Sequence, residues 1–380
     1  MIRLPARAAQ GTAVAVVDGG SFVLPYDHGL VGGLVRQGHR VTVFASRTRY
    51  NGEFLDDLRA TADVTVVDRA VSSSVASRLQ GVAAYVGLLW ALWQLRRRFH
   101  SINLQFSVLW PLELPLWWLL RRQLVFTVHN AVPHGHAGLQ HAPTRRIATL
   151  ARQLVFASTA TRNDFLRRYG QRFAAKSTVL PHGLLPISPR DPVQPVRLCS
   201  QPQALVFWGT VKGYKGIELF TALAQSAAWR SLGLPLEIHG RWDTELHPLR
   251  DELIERGVQV KDRYLDAAAL RTLMAREVLF VLPYRDASQS GALVTLLHQG
   301  CTFACSDVGD LGAFLRRHQL PGLLLPERSA AAVIQALQHL RLHAARVAQS
   351  LQHAQNMTTW DIGLADAANV YGPVSMARCL

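Results

Sequence analysis

VLFVLPYRDASQSGALVTLLHQG, residues 278–300, carries three signals in succession. Residues 278–283 are an apolar run rich in β-branched and aromatic side chains, the pattern of a buried strand. A polar turn follows through residues 284–291, and the apolar helix formers beyond it predict a helix starting near Ser290 or Gly291. A strand feeding a loop and then a helix N-terminus presents free backbone N–H groups, and the positive end of the helix dipole, to whatever lies above the sheet. Small residues at Ser288, Ser290 and Gly291, with Gln289 among them, let a phosphate approach the backbone. Asp286, at the carboxyl end of the strand, is placed to accept hydrogen bonds from hydroxyls of the same ligand. A phosphate beside sugar hydroxyls describes a sugar nucleotide. The plainer alternative is a serine N-cap on an ordinary helix, and the rest of the chain separates the two.

FWGTVKGYKGIELFTALA, residues 207–224, repeats the theme. An apolar run ends at Trp208, a loop carries Gly209, Thr210, Lys212 and Lys215 among three glycines, and a helix begins near Ile217. If both loops lie at the carboxyl edge of one sheet, they converge on one anion. In isolation the two lysines would read as solvated surface charges.

Strand-then-helix alternation runs through the whole chain. Strands are predicted at 12–17, 40–45, 63–67, 102–106, 124–129, 154–158 and 177–181, then at 205–208, 236–239, 258–260, 278–283 and 302–306. Helical spacing occupies 27–37 and 330–356, among other segments. Such alternation predicts an α/β protein with parallel sheets. Residues 185–203 contain five prolines and no periodicity, the composition of a linker. At 380 residues the chain exceeds one ordinary core. The expected organisation is two Rossmann-like domains, 1–184 and 204–355, joined by the linker, with a tail at 356–380 packing back on the first. Gly19-Gly20, after the first strand, lacks the G-x-G-x-x-G spacing of a dinucleotide fingerprint, which argues against a dehydrogenase. In this setting the pair would let a diphosphate approach the strand edge. The four cysteines form no C-x-x-C unit and read as reduced thiols. The first twenty residues lack the apolar core of a signal peptide.

The order and spacing of these motifs resemble glycosyltransferase family 4, of the GT-B fold. The resemblance rests on Gly209 with Lys215-Gly216, on residues 283–291 (PYRDASQSG), on Pro25-Tyr26-Asp27-His28 after the first strand, and on Thr127-Val128-His129-Asn130. It spans most of residues 12–320. It implies two Rossmann-like β/α/β domains facing across a cleft, and retaining transfer of a hexose from a nucleotide sugar, GDP-mannose or a UDP-hexose. It also implies no bound metal ion and no cofactor. Lys215, Lys212 and the Ser290–Gly291 helix start would hold the departing diphosphate, and Asp286 would orient the hexose. His129 would reach the sugar or the acceptor from the cleft. Gly19, Gly20, Tyr26, Asp27, His28 and Asn130 would form the acceptor side, with Asp27 orienting His28. Two departures stand out. The family's glutamate pair, eight positions apart, corresponds to Asp286 and Val294, and the arginine usual after the first loop glycine is Thr210.

The net charge of +15 is unevenly spread. Residues 1–185 hold 22 Lys and Arg against 9 Asp and Glu, whereas residues 186–380 hold 19 against 17. The first half therefore expects an anionic partner. No nucleic-acid motif appears. Two apolar stretches, 82–93 and 108–120, hold five of the nine tryptophans and close on Arg96-Arg97-Arg98 and Arg121-Arg122. Both fall short of the ~20 residues a membrane-spanning helix needs. Tryptophan beside arginine suits the water–lipid boundary. Trp90, Trp93, Trp117 and Trp118, with those five arginines, are thus expected on the anionic inner face of the cell membrane. The alternative is a pair of core helices whose arginines complement the C-terminal dipole. Together these features describe a cytoplasmic, peripheral enzyme extending a polyprenyl-diphosphate-linked glycan in bacterial exopolysaccharide or lipopolysaccharide synthesis. The competing readings are a catalytically silent GT-B partner subunit, prompted by Val294, and a sugar-nucleotide epimerase or phosphorylase.

Overall fold

The computed structural model describes residues 12–48, 52–71, 77–130, 141–287 and 290–372. The chain divides into two compact units. One runs to Gly183 and includes the residues from Trp360 onward; the other is Leu184–Thr359.

The first unit is built on seven parallel strands: β1 (Ala13–Asp18), β2 (Arg40–Ser46), β3 (Val64–Arg69), β4 (Ser101–Leu104), β5 (Leu124–Thr127), β6 (Gln153–Phe156) and β7 (Ser177–Val179). Their order is β3-β2-β1-β4-β5-β6-β7. The central strands β4 and β5 are buried along their whole length, as expected where helices cover both faces of a parallel sheet. The connecting helices are α1 (Leu24–Arg36), α2 (Gly52–Ala60), α3 (Arg78–Leu95), α4 (Trp110–Leu120), α5 (His141–Leu150) and α6 (Thr159–Tyr169). Pro25 sits in the first turn of α1, where its fixed φ suits a helix start. Tyr26, Asp27 and His28 consequently lie on the helix and not in the loop after β1. α3 opens with a capping box in which Ser77 and Gln80 satisfy each other's backbone N–H.

The second unit has six parallel strands: β8 (Leu205–Trp208), β9 (Leu236–His239), β10 (Gln259–Lys261), β11 (Leu279–Leu282), β12 (Thr302–Ser306) and β13 (Leu324–Leu325). Their order is β10-β9-β8-β11-β12-β13. The helices are α7 (Glu218–Gln225), α8 (Ala227–Arg230), α9 (His247–Glu255), α10 (Ala267–Met274), α11 (Gly291–His298), α12 (Gly309–Arg317) and α13 (Ala330–Met357). Two-residue β13 has no periodicity to betray it in the sequence.

The proline-rich stretch is not a free spacer. It runs along the second unit, where the backbone N–H of Gln194 donates to His298 O (2.9 Å) and that of Arg197 to Gly300 O (3.1 Å). The chain then returns to the first unit as α14 (Trp360–Gly363) and α15 (Ala367–Tyr371). There Trp360 packs edge-on to Tyr26, with ring centroids 5.2 Å apart. Arg152 donates to Val370 O at 2.7 Å.

Candidate functional site

In the second sheet β8 and β11 are neighbours, with β9 and β10 on one side and β12 and β13 on the other. Their carboxyl ends therefore flank the point where the strand order reverses, the usual ligand crevice of an open α/β sheet. Both loops singled out in the sequence leave from here. The N–H of Arg285 donates to Tyr214 O (2.8 Å) and joins the two. Gly216 has φ +69°, and a Cβ there would stand 1.8 Å from Pro283 O. Only glycine lets the lysine loop lie against the end of β11. A third loop joins them: Gly309 has φ +47°, and its Cβ would meet Ala287 O at 1.7 Å.

Lys215 is half-buried in this cluster. Its Nζ lies 3.7 Å from the centroid of the Tyr284 ring and 4.9 Å from that of Tyr214, positions that attract a cation to a ring face. No carboxylate pairs with it among the described residues. Burial, with a smaller contribution from nearby Lys212, holds its ammonium pKa below the ordinary lysine value. Lys212, Thr210 and Asp286 are exposed, and Gly209 is half-buried. Arg285 Nε bonds Glu218 at 2.6 Å, and Arg328 Nε stands 4.0 Å from the same carboxylate. Two arginines thus converge on Glu218 at this edge. Ser290 caps α11, its Oγ accepting from Leu293 N–H at 3.3 Å, and Gly291 is exposed at the first helical position. The hydroxyl of Tyr284 is buried beside Ser290 and has no partner among the described residues. Ser288 and Gln289 lie outside the described residues. Val294 is buried, at 6% exposure, so the second carboxylate of the family pair has no counterpart on the loop side of α11. Asp310, in the first turn of α12, is an acid the sequence did not single out; burial raises its pKa to about 6. Among the described residues no group of three His, Cys, Asp or Glu side chains is arranged to hold a metal ion.

In the first unit the corresponding reversal lies between β1 and β4. His129, two residues past β5, stacks on Phe106 (4.7 Å, 7° between planes), and its Nε2 lies 2.7 Å from Gln105 Oε1. Gln105 Nε2 donates to Asn103 Oδ1 (2.5 Å), which also accepts from Tyr371 Oη (3.4 Å). Burial, then the neighbouring His182, push the His129 pKa down to about 3. It is a neutral hydrogen-bonding ring at pH 7, not a cation. Asn130 is half-buried beside it in the sequence.

Several acceptor-side expectations are corrected here. His28 is oriented by Asp57 (Nε2–Oδ2 2.9 Å), not by Asp27. Asp27 is fully buried and pairs with Asp18 at the end of β1. Asp18 Oδ2 accepts the N–H of Val23 at 3.0 Å. Burial, reinforced by the charge of Asp18, raises the Asp27 pKa well above the carboxylate range. Its protonated form is thereby favoured over the carboxylate in the folded chain. Tyr26 is buried at 4% exposure, its ring edge-on to His129 and His182 at 5.0 Å each. The room at Gly19 and Gly20 is filled by the protein itself, since a Cβ would lie 2.3 Å from the Tyr85 and Phe22 rings respectively.

Residues 28–184 match the family model described as Glycosyltransferase Family 4. That match covers most of the first unit, and the two parallel sheets with their interleaved helices have the GT-B fold. Sucrose-phosphate synthase from Thermosynechococcus elongatus superposes with a TM-score of 0.67 at 17% identity, over 95% of this chain and 98% of that one. Anabaena HepE in complex with UDP and glucose gives 0.65 at 16%, over 94% and 98%. WaaG, a glycosyltransferase involved in lipopolysaccharide biosynthesis, gives 0.58 at 15%, over 94% and 100%. A search of curated proteins finds no match.

The first unit carries two helices that are apolar on every side. The core face of α3 is Gly81, Tyr85, Leu88 and Leu92. Its opposite stripe, Leu79, Val82, Val86 and Trp90, is exposed, with Trp90 at 59%. On α4, Glu113, Trp117 and Leu120 are buried while Leu112, Trp118 and Leu119 are exposed. Trp117 is thus corrected from membrane-facing to core: it is fully buried, and its indole N–H donates to Glu113 Oε2 at 2.9 Å. Trp93 is half-buried under the Arg96 guanidinium (3.6 Å), and Arg121 lies over Trp118 at 4.6 Å. Arg97, Arg98 and Arg122 are exposed. Among the described residues no helix is long and apolar enough to cross a membrane.

Proposed function

We propose that this glycosyltransferase moves a hexose, with retention, from GDP-mannose or a UDP-hexose to a membrane-held, polyprenyl-diphosphate-linked glycan in bacterial exopolysaccharide or lipopolysaccharide synthesis. The observation that carries the donor reading is the junction of the lysine loop with the loop before α11. Lys215 there faces two tyrosine rings and lacks a carboxylate partner among the described residues. A diphosphate supplies the missing anion, and it draws further stabilisation from Lys212 and the N–H groups at the start of α11. As the bond from the sugar C1 to the diphosphate breaks, these groups offset the charge left on the phosphate without a metal ion. Asp286 orients the hexose hydroxyls, and neutral His129 offers a hydrogen bond on the acceptor side. HepE, crystallised with UDP and glucose, and WaaG, tied to lipopolysaccharide, support a sugar nucleotide and a cell-envelope glycan. The exposed Trp90 and Trp118 with their arginines support work at the inner face of an anionic membrane.

The test is transfer of radiolabelled hexose from each donor to polyprenyl-diphosphate-linked acceptors, with and without chelator. Transfer from one donor that survives chelation and falls at least 100-fold in Asp286→Ala supports the proposal. A silent partner subunit, suggested by Val294, predicts neither transfer nor donor hydrolysis.

A further inference from the structure

Between α4 and α5 lies a groove of about 850 Å³, within the ~300–1,000 Å³ range of ligand pockets. Its floor is apolar: Pro111, Leu114, Pro115 and Trp118 from one helix, Leu150 from the other. These α4 residues recur at one helical spacing, on a different face from the buried Glu113, Trp117 and Leu120. Leu114 and Leu150 pack in part against the core, but Pro111, Pro115 and Trp118 are exposed, and core packing does not account for them. The rim is cationic. Arg145, Arg146 and Arg172 line it, and none has a carboxylate partner among the described residues. Arg146 lies over the Trp110 ring at 5.5 Å, and Arg172 over Phe173 at 4.9 Å. These two guanidinium groups rest against rings, with donors left for an anion.

We infer that this groove is a binding site for one anionic bilayer phospholipid, with an acyl chain along the apolar floor and its phosphate on the arginine rim. Charge complementarity selects the headgroup, because three unpaired guanidinium groups on one rim disfavour a cationic or zwitterionic ligand. The surroundings select a lipid over a peptide. Leu112 and Leu119 on the same helix are exposed, and the buried face of α4 is tied to that of α3 through the Tyr85–Glu113 hydrogen bond (2.9 Å). Both helices of this unit therefore also present apolar side chains to the outside. The inference rests on membrane attachment as proposed above and deepens it, from adsorption on a surface to a defined lipid site.

The test uses dihexanoyl-phosphatidylglycerol, kept below its micelle concentration, with native mass spectrometry of the intact protein. One lipid per chain is expected at saturation, with dihexanoyl-phosphatidylcholine at least fivefold weaker. Arg145→Glu combined with Arg146→Glu should weaken binding at least tenfold. Thr149→Trp, which fills the groove from its solvent side, should abolish binding. Trp90→Ala, outside the groove, should leave it unchanged. Non-saturating binding, or binding that Thr149→Trp and the charge reversal leave intact, overturns the site. So does a dimer that Thr149→Trp dissolves, since the groove would then belong to a second copy. Nucleotide-dependent melting shifts on the same samples separate the two claims. A shift retained in a variant without lipid binding places the loss in the groove. A wild type that binds the lipid but shifts with no nucleotide counts against the transferase reading alone.

Discussion

Lys215 and Asp27 show what single residues contribute and how far the sequence reveals it. The lysine was legible because glycines flank it after a strand; its tyrosine cage was not, since Tyr214 and Tyr284 are seventy positions apart and meet only when β8 and β11 pair. Asp27 departs from the acceptor-side expectation because α1 begins at Leu24 and turns that carboxyl inward. Its folded pKa is raised, so the native state keeps a proton that the unfolded chain releases above the ordinary value of 3.8. That contribution is complete at low pH and fades as pH rises, by about 1.4 kcal/mol per unit until the pair ionises. His129, pushed down to about 3, and His182, to about 4, act oppositely, costing stability as pH falls below the ordinary value of 6.5. The two effects offset each other at mildly acid pH, so the informative quantity is a difference. Asp27→Asn should gain stability relative to wild type as pH rises from about 5 to 8, by more than ~1 kcal/mol in chemical denaturation. A difference that stays flat with pH would mean that the pair is ionised in the native state. For Gly216→Ala, a crowded Cβ at positive φ should cost ~1–3 kcal/mol and disrupt the lysine loop. Weakened nucleotide binding at preserved secondary structure would be the signature.

At the scale of elements, α3 and α4 mark where periodicity stops informing. Both are apolar all round, so no stripe distinguishes core from surface. Adjacent Trp117 and Trp118 are identical in the sequence, yet about 100° of helical rotation buries one and exposes the other. The discriminating signal was Glu113. An acid in so apolar a stretch must find donors if buried. It accepts from Tyr85 Oη, from the N–H groups of Val108 and Leu109, and from the Trp117 indole. Glu113→Ala should therefore destabilise the protein by ~3 kcal/mol or more, because it strands several buried donors. Trp117→Ala should cost ~3–5 kcal/mol by leaving a cavity. Trp118→Ala should leave the melting temperature nearly unchanged and instead weaken sedimentation with anionic vesicles. Vesicle binding lost only in Trp117→Ala would contradict this division.

For the whole molecule, the alternation of strands and helices gave the fold class directly, because parallel sheets need a crossover for every strand. The unit boundary was less legible. The proline-rich stretch has the composition of a spacer, yet its carbonyls and N–H groups pair along the second unit, a long-range arrangement that local composition does not encode. Charge was legible at this scale too. The basic surplus lies in the first half, so vesicle binding should fall steeply as ionic strength rises from about 50 to 500 mM, while nucleotide binding in the second unit should change far less. The central claim is that the second unit's loops hold the diphosphate of a sugar nucleotide on Lys215. Thermal unfolding of wild type and Lys215→Ala with UDP, GDP, UDP-glucose, UDP-glucuronate and GDP-mannose tests it most directly. The account predicts that nucleotides of one base stabilise the wild type, by about 2.7 kcal/mol at a hundredfold excess over Kd, and that Lys215→Ala loses the shift. No shift with any of the five, or an equal shift in Lys215→Ala, would contradict it.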